Sequence, residues 1–289
     1  MKRLLILSGK GGTGKTTTAA ALLHFSQAEA AADCDVDAPN LHLVSHRKAE
    51  PESSTFYGSD KAQIDPALCT GCGACLKHCR FNAIRKDGTV CRIVDYSCEG
   101  CGVCAYVCPK KAITLHQDEA GTKTLYRGTP VFSTAMLKMG RGNSGKLVTE
   151  VKVAMLEAAP KEGLAIIDGS PGIGCPVIAS VSGVDLVLIV AEPSLSGVSD
   201  LERLLRTASI LQTKVAVCVN KYDTSPQQTE AIEALCAEHE IPFLGKVPYD
   251  KHVAQAINEG VSVAEYDCPA RDALYTVYQG AVSILDRKA

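Results

Sequence analysis

The sequence predicts an α/β protein: a mostly parallel sheet covered by helices, interrupted by a small α+β insertion. Three observations carry this. Short apolar runs alternate with helical stretches, a Gly-rich loop joins the first run to the first helix, and nine of the 14 cysteines crowd between Gln63 and His116. The 289 residues allow one large domain or about two. Hydrophobic residues at 46% and charged residues at 21% exclude disorder, collagen and coiled coil.

Along the chain, residues 3–7 read as a buried strand, 8–14 as a loop and 15–24, rich in Ala and Leu, as a helix. Further apolar runs at 164–167, 186–191, 215–219 and 243–247 read as strands, with helices at 199–211 and 227–240. Parallel strands are buried on both faces and so read as continuous apolar runs. Residues 1–60 and 118–289 form the α/β domain and 61–117 the insertion. Residues 53–61 read as the linker into it. Residues 113–127, with Gly121 at the turn, read as a hairpin leading back.

The net charge of -2 gives no electrostatic footprint for nucleic acid or an anionic membrane. Trp is absent and aromatics are 5%, which leaves few platforms for stacking bases. No stretch approaches the roughly 20 apolar residues of a membrane span. Met1-Lys2-Arg3 is followed by only four apolar residues, short of the about 7–15 of a signal peptide. A cytoplasmic chain is expected, with cysteines as thiols or metal ligands rather than disulfides. In the last segment Leu274, Val277, Tyr278, Val282 and Leu285 share a face, and only Arg287 and Lys288 are basic. That is a packing helix rather than a membrane anchor.

Gly9-Lys10-Gly11-Gly12-Thr13-Gly14-Lys15-Thr16, continued by Thr17, follows a strand and opens a helix. This is the setting of a phosphate-binding P-loop: glycines turn backbone N–H groups inward, the helix N-terminus favours an anion, Lys15 contacts outer phosphates and Thr16 ligates Mg²⁺. Two acidic stations follow, Asp33-Cys34-Asp35-Val36-Asp37 and Ile167-Asp168-Gly169-Ser170-Pro171-Gly172. An Asp at a strand end, here Asp168, can hold the Mg²⁺ shell. Carboxylates at turns and helix caps are the bland alternative for both.

The second lysine, Lys10, makes the loop resemble that of the deviant P-loop ATPases, the group of MinD, ParA, the Mrp-type iron–sulfur carriers and the nitrogenase iron protein. The resemblance implies a MinD-like ATPase fold, ATP with Mg²⁺, and a nucleotide-sandwich dimer with itself or a similar ATPase. In such a dimer Lys10 reaches the partner's nucleotide. It also implies that Asp35 orients the attacking water, that Asp168 takes the Walker B role and that Asn220, at a strand end, recognises adenine. One departure stands out. The strand before the first acidic station should be β-branched, but residues 28–32 are Ala-Glu-Ala-Ala-Ala, helical by propensity, and no Gly ends the preceding helix.

The insertion repeats itself. Ile64-Asp65 precedes Cys69-Thr70-Gly71-Cys72, and Val94-Asp95 precedes Cys98-Glu99-Gly100-Cys101. The halves close on Asn82-Ala83-Ile84 and Lys111-Ala112-Ile113. Each carries C-x2-C-x2-C-x3-C, the two-cluster bacterial ferredoxin spacing, in which the fourth Cys serves the other cluster. One [4Fe–4S] cluster takes Cys69, Cys72, Cys75 and Cys108, the other Cys98, Cys101, Cys104 and Cys79. Zinc prefers C-x2-C pairs separated by a longer loop. The Pro expected after a fourth Cys is present as Pro109 but replaced by Arg80 in the first half. Of the remaining six, Cys34, Cys91, Cys218, Cys236 and Cys268 read as buried thiols. Cys175 sits where the nitrogenase iron protein carries a ligand to a cluster shared across its dimer, or else is a core or interface thiol.

The combination resembles MinD-superfamily ATPases with an inserted ferredoxin domain. It implies ATP-coupled electron transfer to a redox partner protein. Two alternatives stand beside it: an iron–sulfur carrier or metallocofactor assembly ATPase, and a MinD/ParA-like positioning switch with redox-sensing clusters.

Overall fold

The computed structural model describes residues 1–44 and 49–287. The chain divides into two compact units: Met1–Ser53, Lys123–Met136 and Ser144–Ala289 form the first, Ser54–Thr122 and Leu137–Asn143 the second. The first unit opens with β1 (Lys2–Leu7), α1 (Lys15–Ser26) and β2 (Ala30–Asp33), and β3 (Pro51–Tyr57) leads out of it. The second holds β4 (Lys61–Ile64), α2 (Ala74–His78), β5 (Ile84–Asp87), β6 (Val90–Ile93), α3 (Val103–Tyr106) and β7 (Ile113–His116). The chain returns through β8 (Glu119–Tyr126) and β9 (Val131–Leu137). It continues with α4 (Ser144–Ala158), β10 (Leu164–Asp168), α5 (Cys175–Val181), β11 (Leu186–Ala191) and α6 (Leu195–Ile210). Then come β12 (Val215–Asn220), α7 (Pro226–Glu238), β13 (Phe243–Val247), α8 (Lys251–Glu259) and α9 (Pro269–Asp286).

The large sheet has nine strands in the order β13-β12-β11-β1-β10-β2-β9-β8-β3. From β13 to β9 every neighbouring pair is parallel, as the apolar runs predict. Leu4 and Ile6 join α1 and α9 in one core, while Leu5 and Leu7, pointing the other way, are equally buried, so both faces are covered. Helix α1 is buried from Thr18 to Leu23 without a polar side. The C-terminal helix packs through Leu274, Val277 and Ala281; Lys288 lies outside the described residues. Among the described residues no helix is long and apolar enough to cross a membrane.

The strand ends define a site. The register sets Ile6 beside Asp168 and Asp168 beside Asp33. Two carboxylates therefore end adjacent strands next to the strand that feeds the Gly-rich loop, and β1 lies where the chain's strands part to β10 and β11. Open parallel sheets bind ligands at such a place, beyond the carboxyl ends of the strands.

Four readings of the sequence need correction or completion. Residues 30–33 form β2 despite their helical propensity, because hydrogen-bonded neighbours on both sides, β10 and β9, outweigh it. Gln27 at φ 48° ends α1 in place of the missing Gly, and its side chain donates to the carbonyl of His24 at 2.7 Å. Residues 53–61 are not a linker: β3 is the edge strand of the sheet, and only Phe56 of it is buried, so it carries no apolar pattern. Gly121 is not at a turn but buried within β8; the break falls at Gln117 and Asp118.

One buried cation fastens the helix that follows β10. Lys152 of α4 is 7% exposed, and its ammonium donates to the carbonyls of Ala179, Ser180 and Ser182 at 2.9, 2.7 and 2.6 Å. It satisfies the last turn of α5, whose carbonyls have no helical partner. Lys152→Met should leave them bare and lower the unfolding free energy by about 2 kcal/mol in urea denaturation.

Candidate functional site

Gly12 and Gly14 take φ 81° and 95°, values that L side chains rarely adopt, and Gly14 lies against Asn220, whose Nδ2 would stand 2.1 Å from an added Cβ. Gly11 and Gly12 face open space. The Thr13 hydroxyl is buried and has no partner among the described residues, so the loop holds a polar atom in reserve for a ligand. This, with the helix N-terminus behind Gly14, fits a phosphate group.

Lys15, Thr16, Asp35 and Asp168 come together. The Lys15 ammonium donates to Asp168 Oδ1 at 2.6 Å and lies 3.7 Å from Asp35 Oδ2. The Thr16 hydroxyl donates to Asp168 Oδ2 at 2.6 Å. Burial pulls the Lys15 pKa down, but Asp168, with Asp35 and Asp33, offsets it and the net shift is upward. Burial raises Asp35, against the pull of Lys15. Thr17 follows on α1, half-buried.

Asp33, on which sequence reasoning placed no role, holds the first acidic loop. It accepts backbone N–H groups of Asp35, Asn40 and Leu41 at 3.0, 2.9 and 2.9 Å. Burial, then the charge of Asp168, push its carboxyl up to about 7. The only trace in the sequence is its place at the end of a strand.

Lys10 and Asn220 are also engaged. Lys10 pairs with Glu192 at 2.8 Å and donates to Ser196 and Ser194 at 3.1 and 3.3 Å. Asn220 Nδ2 donates to the Thr13 carbonyl at 2.7 Å, and its Oδ1 accepts Lys221 N–H at 3.0 Å. In this structure Asn220 braces the loop. Close packing also comes from α6: an added Cβ on Gly9 would stand 2.2 Å from that of Asp200.

In the second unit the cysteines line two cavities. Cys69, Cys72, Cys75 and Cys108 share one, together with Cys91; Cys79, Cys98, Cys101 and Cys104 share the other. The halves match in geometry. Gly71 and Gly73 take φ 62° and 74°, Gly100 and Gly102 take 65° and 76°. An added Cβ on Gly71 or Gly100 would stand 2.1 or 1.9 Å from a backbone oxygen, of Thr89 or Asp60. Asn82 and Lys111 share positive φ, 52° and 48°. Backbone N–H groups aim at the sulfurs in pairs: Ala83 to Cys79 at 3.4 Å and Ala112 to Cys108 at 3.3 Å, Cys91 to Cys69 at 3.4 Å and Ala62 to Cys98 at 3.5 Å. Donors aimed at sulfur, and four motif thiols gathered at each cavity, fit a thiolate-held cluster. Cys175 stands apart and exposed in the first unit, with Gly145 packed against it.

Asn220→Ala removes one hydrogen bond from the loop and should weaken nucleotide binding by about 1 kcal/mol, roughly fivefold in Kd by calorimetry. Asp33 makes the nucleotide-free protein pH-sensitive. A carboxyl raised from 3.8 to about 7 favours the proton-bound folded state, so its contribution is whole below the unfolded pKa and lost as pH rises through about 7. Asp33→Asn should flatten the fall in unfolding free energy between about pH 4 and 7 by up to about 1.4 kcal/mol per pH unit.

The CobQ/CobB/MinD/ParA nucleotide binding domain family matches residues 4–263. An uncharacterized protein of Methanocaldococcus jannaschii is 34% identical over 224 residues, 76% of this chain and 78% of that one. The cytosolic Fe-S cluster assembly factor Nubp1 homolog of Drosophila grimshawi is 23% identical over 286 residues, 95% of this chain and 79% of that one. The cell division ATPase MinD of Pyrococcus furiosus superposes with a TM-score of 0.58 at 17% identity, covering 98% of this chain and 99% of that one, a likeness of fold. With the loop and the acidic strand ends in place, the chain belongs to the CobQ/CobB/MinD/ParA nucleotide binding domain family.

Proposed function

We propose that this protein binds and hydrolyses MgATP and couples that cycle to electron transfer, through two [4Fe–4S] clusters, to a partner protein. The observation that carries the reading is the union, in one chain, of a P-loop with its acidic strand ends and two cavities that each gather four motif cysteines, with Cys91 beside one set. Lys15 and the loop N–H groups bind phosphates, Thr16 with Asp168 holds Mg²⁺, and Asp35 orients the attacking water. Lys10 serves the partner's nucleotide in a sandwich dimer and is held meanwhile by Glu192 of its own chain.

Cys69, Cys72, Cys75 and Cys108 hold one cluster, and Cys79, Cys98, Cys101 and Cys104 the other. Bound there, a cluster supplies one-electron storage. The chain's own part is to fix the thiolates and direct N–H groups at them.

A second reading, cluster assembly, is favoured by the likeness to the assembly factor homolog. It makes the clusters cargo, and it expects the protein to pass them to an apo acceptor rather than keep them.

The test is an anaerobic redox titration followed by EPR, with MgATP and with MgADP. If nucleotide and electron are coupled, ATP must shift a midpoint potential, by about 59 mV for each tenfold difference in its affinity for the two redox states. Equal potentials, together with iron passing to an apo ferredoxin, would replace electron transfer by the assembly reading.

A further inference from the structure

The repeat makes each half of the cysteine unit a control for the other. Strands β4 and β6 enter their halves alike: Ala62 N–H donates to Cys98 Sγ at 3.5 Å as Cys91 N–H donates to Cys69 Sγ at 3.4 Å. The preceding residues correspond too, Lys61 to Val90, and these are chemically unlike.

Lys61 is only 5% exposed. Its ammonium donates to the carbonyl of Cys98 and, among the described residues, has no carboxylate within ion-pair distance. The contrast with Lys152 is direct, since that buried ammonium meets three carbonyls. Lys61 has one carbonyl and two donors left over. A buried cation is costly unless an anion stands close. Cys98, whose carbonyl the ammonium meets, turns its sulfur to the cavity that it lines with Cys79, Cys101 and Cys104, so negative charge held there is the charge nearest along the chain.

We propose that Lys61 is the built-in counter-charge of the cavity formed by Cys79, Cys98, Cys101 and Cys104, raising the reduction potential of the group bound there. The proposal rests on the two-cluster reading. Reduction adds negative charge, and a buried ammonium stabilises the reduced form more than the oxidised one. Val90 offers no such charge to the other cavity, so the duplicated sites are electrostatically unequal.

The experiment compares anaerobically purified wild type, Lys61→Met and Lys61→Arg by iron content and by EPR-monitored redox titration. In Lys61→Met one midpoint should fall by tenfold or more in the reduction equilibrium, about 59 mV for one electron, and the other should stay. Lys61→Arg, which keeps the charge, should titrate as wild type. Loss of one cluster's iron in Lys61→Met with retention in Lys61→Arg also supports the counter-charge. Unchanged midpoints in Lys61→Met, or an Arg variant that behaves as the Met variant, overturns it. Wild type with less than two clusters' iron overturns the underlying reading instead, and is recognisable before any variant is compared.

Discussion

The nucleotide-binding half of this protein depends on one buried carboxylate. Asp168 is 0% exposed and ends the strand beside β1. A charge so buried is costly unless it is paired and hydrogen-bonded. Both oxygens are taken, one by Lys15 and one by Thr16, the first two residues of α1. That helix has no acidic residue in its own first turn, so Asp168 supplies the negative charge that its N-terminus favours. The same contact fixes where the loop ends and where the helix begins. Lys15 extends the set to Asp35, and Asp33 ties down the segment that follows.

The second unit depends on a different constraint, duplication. Each half ends in a strand that pairs with the strand opening the other half: β7 with β4, and β5 with β6. Neither half can form its sheet alone. The cysteines cross in the same sense, Cys108 joining the first three of one half and Cys79 the first three of the other. Backbone pairing and side-chain grouping thus enforce the same exchange. Small departures from symmetry then gain meaning, since the backbone around them is held equal.

Much of this was readable in the residues. The continuous apolar runs of β1, β10, β11, β12 and β13 announce strands buried on both faces, and the Gly-Lys-Thr phrase announces its loop. What escaped has physical causes. β2 is three alanines and Asp33, and its strand state comes from its neighbours rather than from propensity. β3 is an edge strand with one buried side chain, so no period marks it. The bracing role of Asn220 and the burial of Lys61 and Lys152 are tertiary facts: each engages atoms far along the chain or on other elements.

The division of the chain has a bearing on modularity. The cysteine unit is composed of two separate stretches, Ser54–Thr122 and Leu137–Asn143, so the backbone passes between the units four times rather than twice. The shorter stretch is fastened within that unit by Arg141, which pairs with Asp95 at 2.6 Å and with Asp118 at 3.2 Å. A cassette bounded by one pair of joints could be lifted out by two cuts. This one is stitched, and grafting it onto another scaffold means carrying the second stretch and its arginine along with the cysteines.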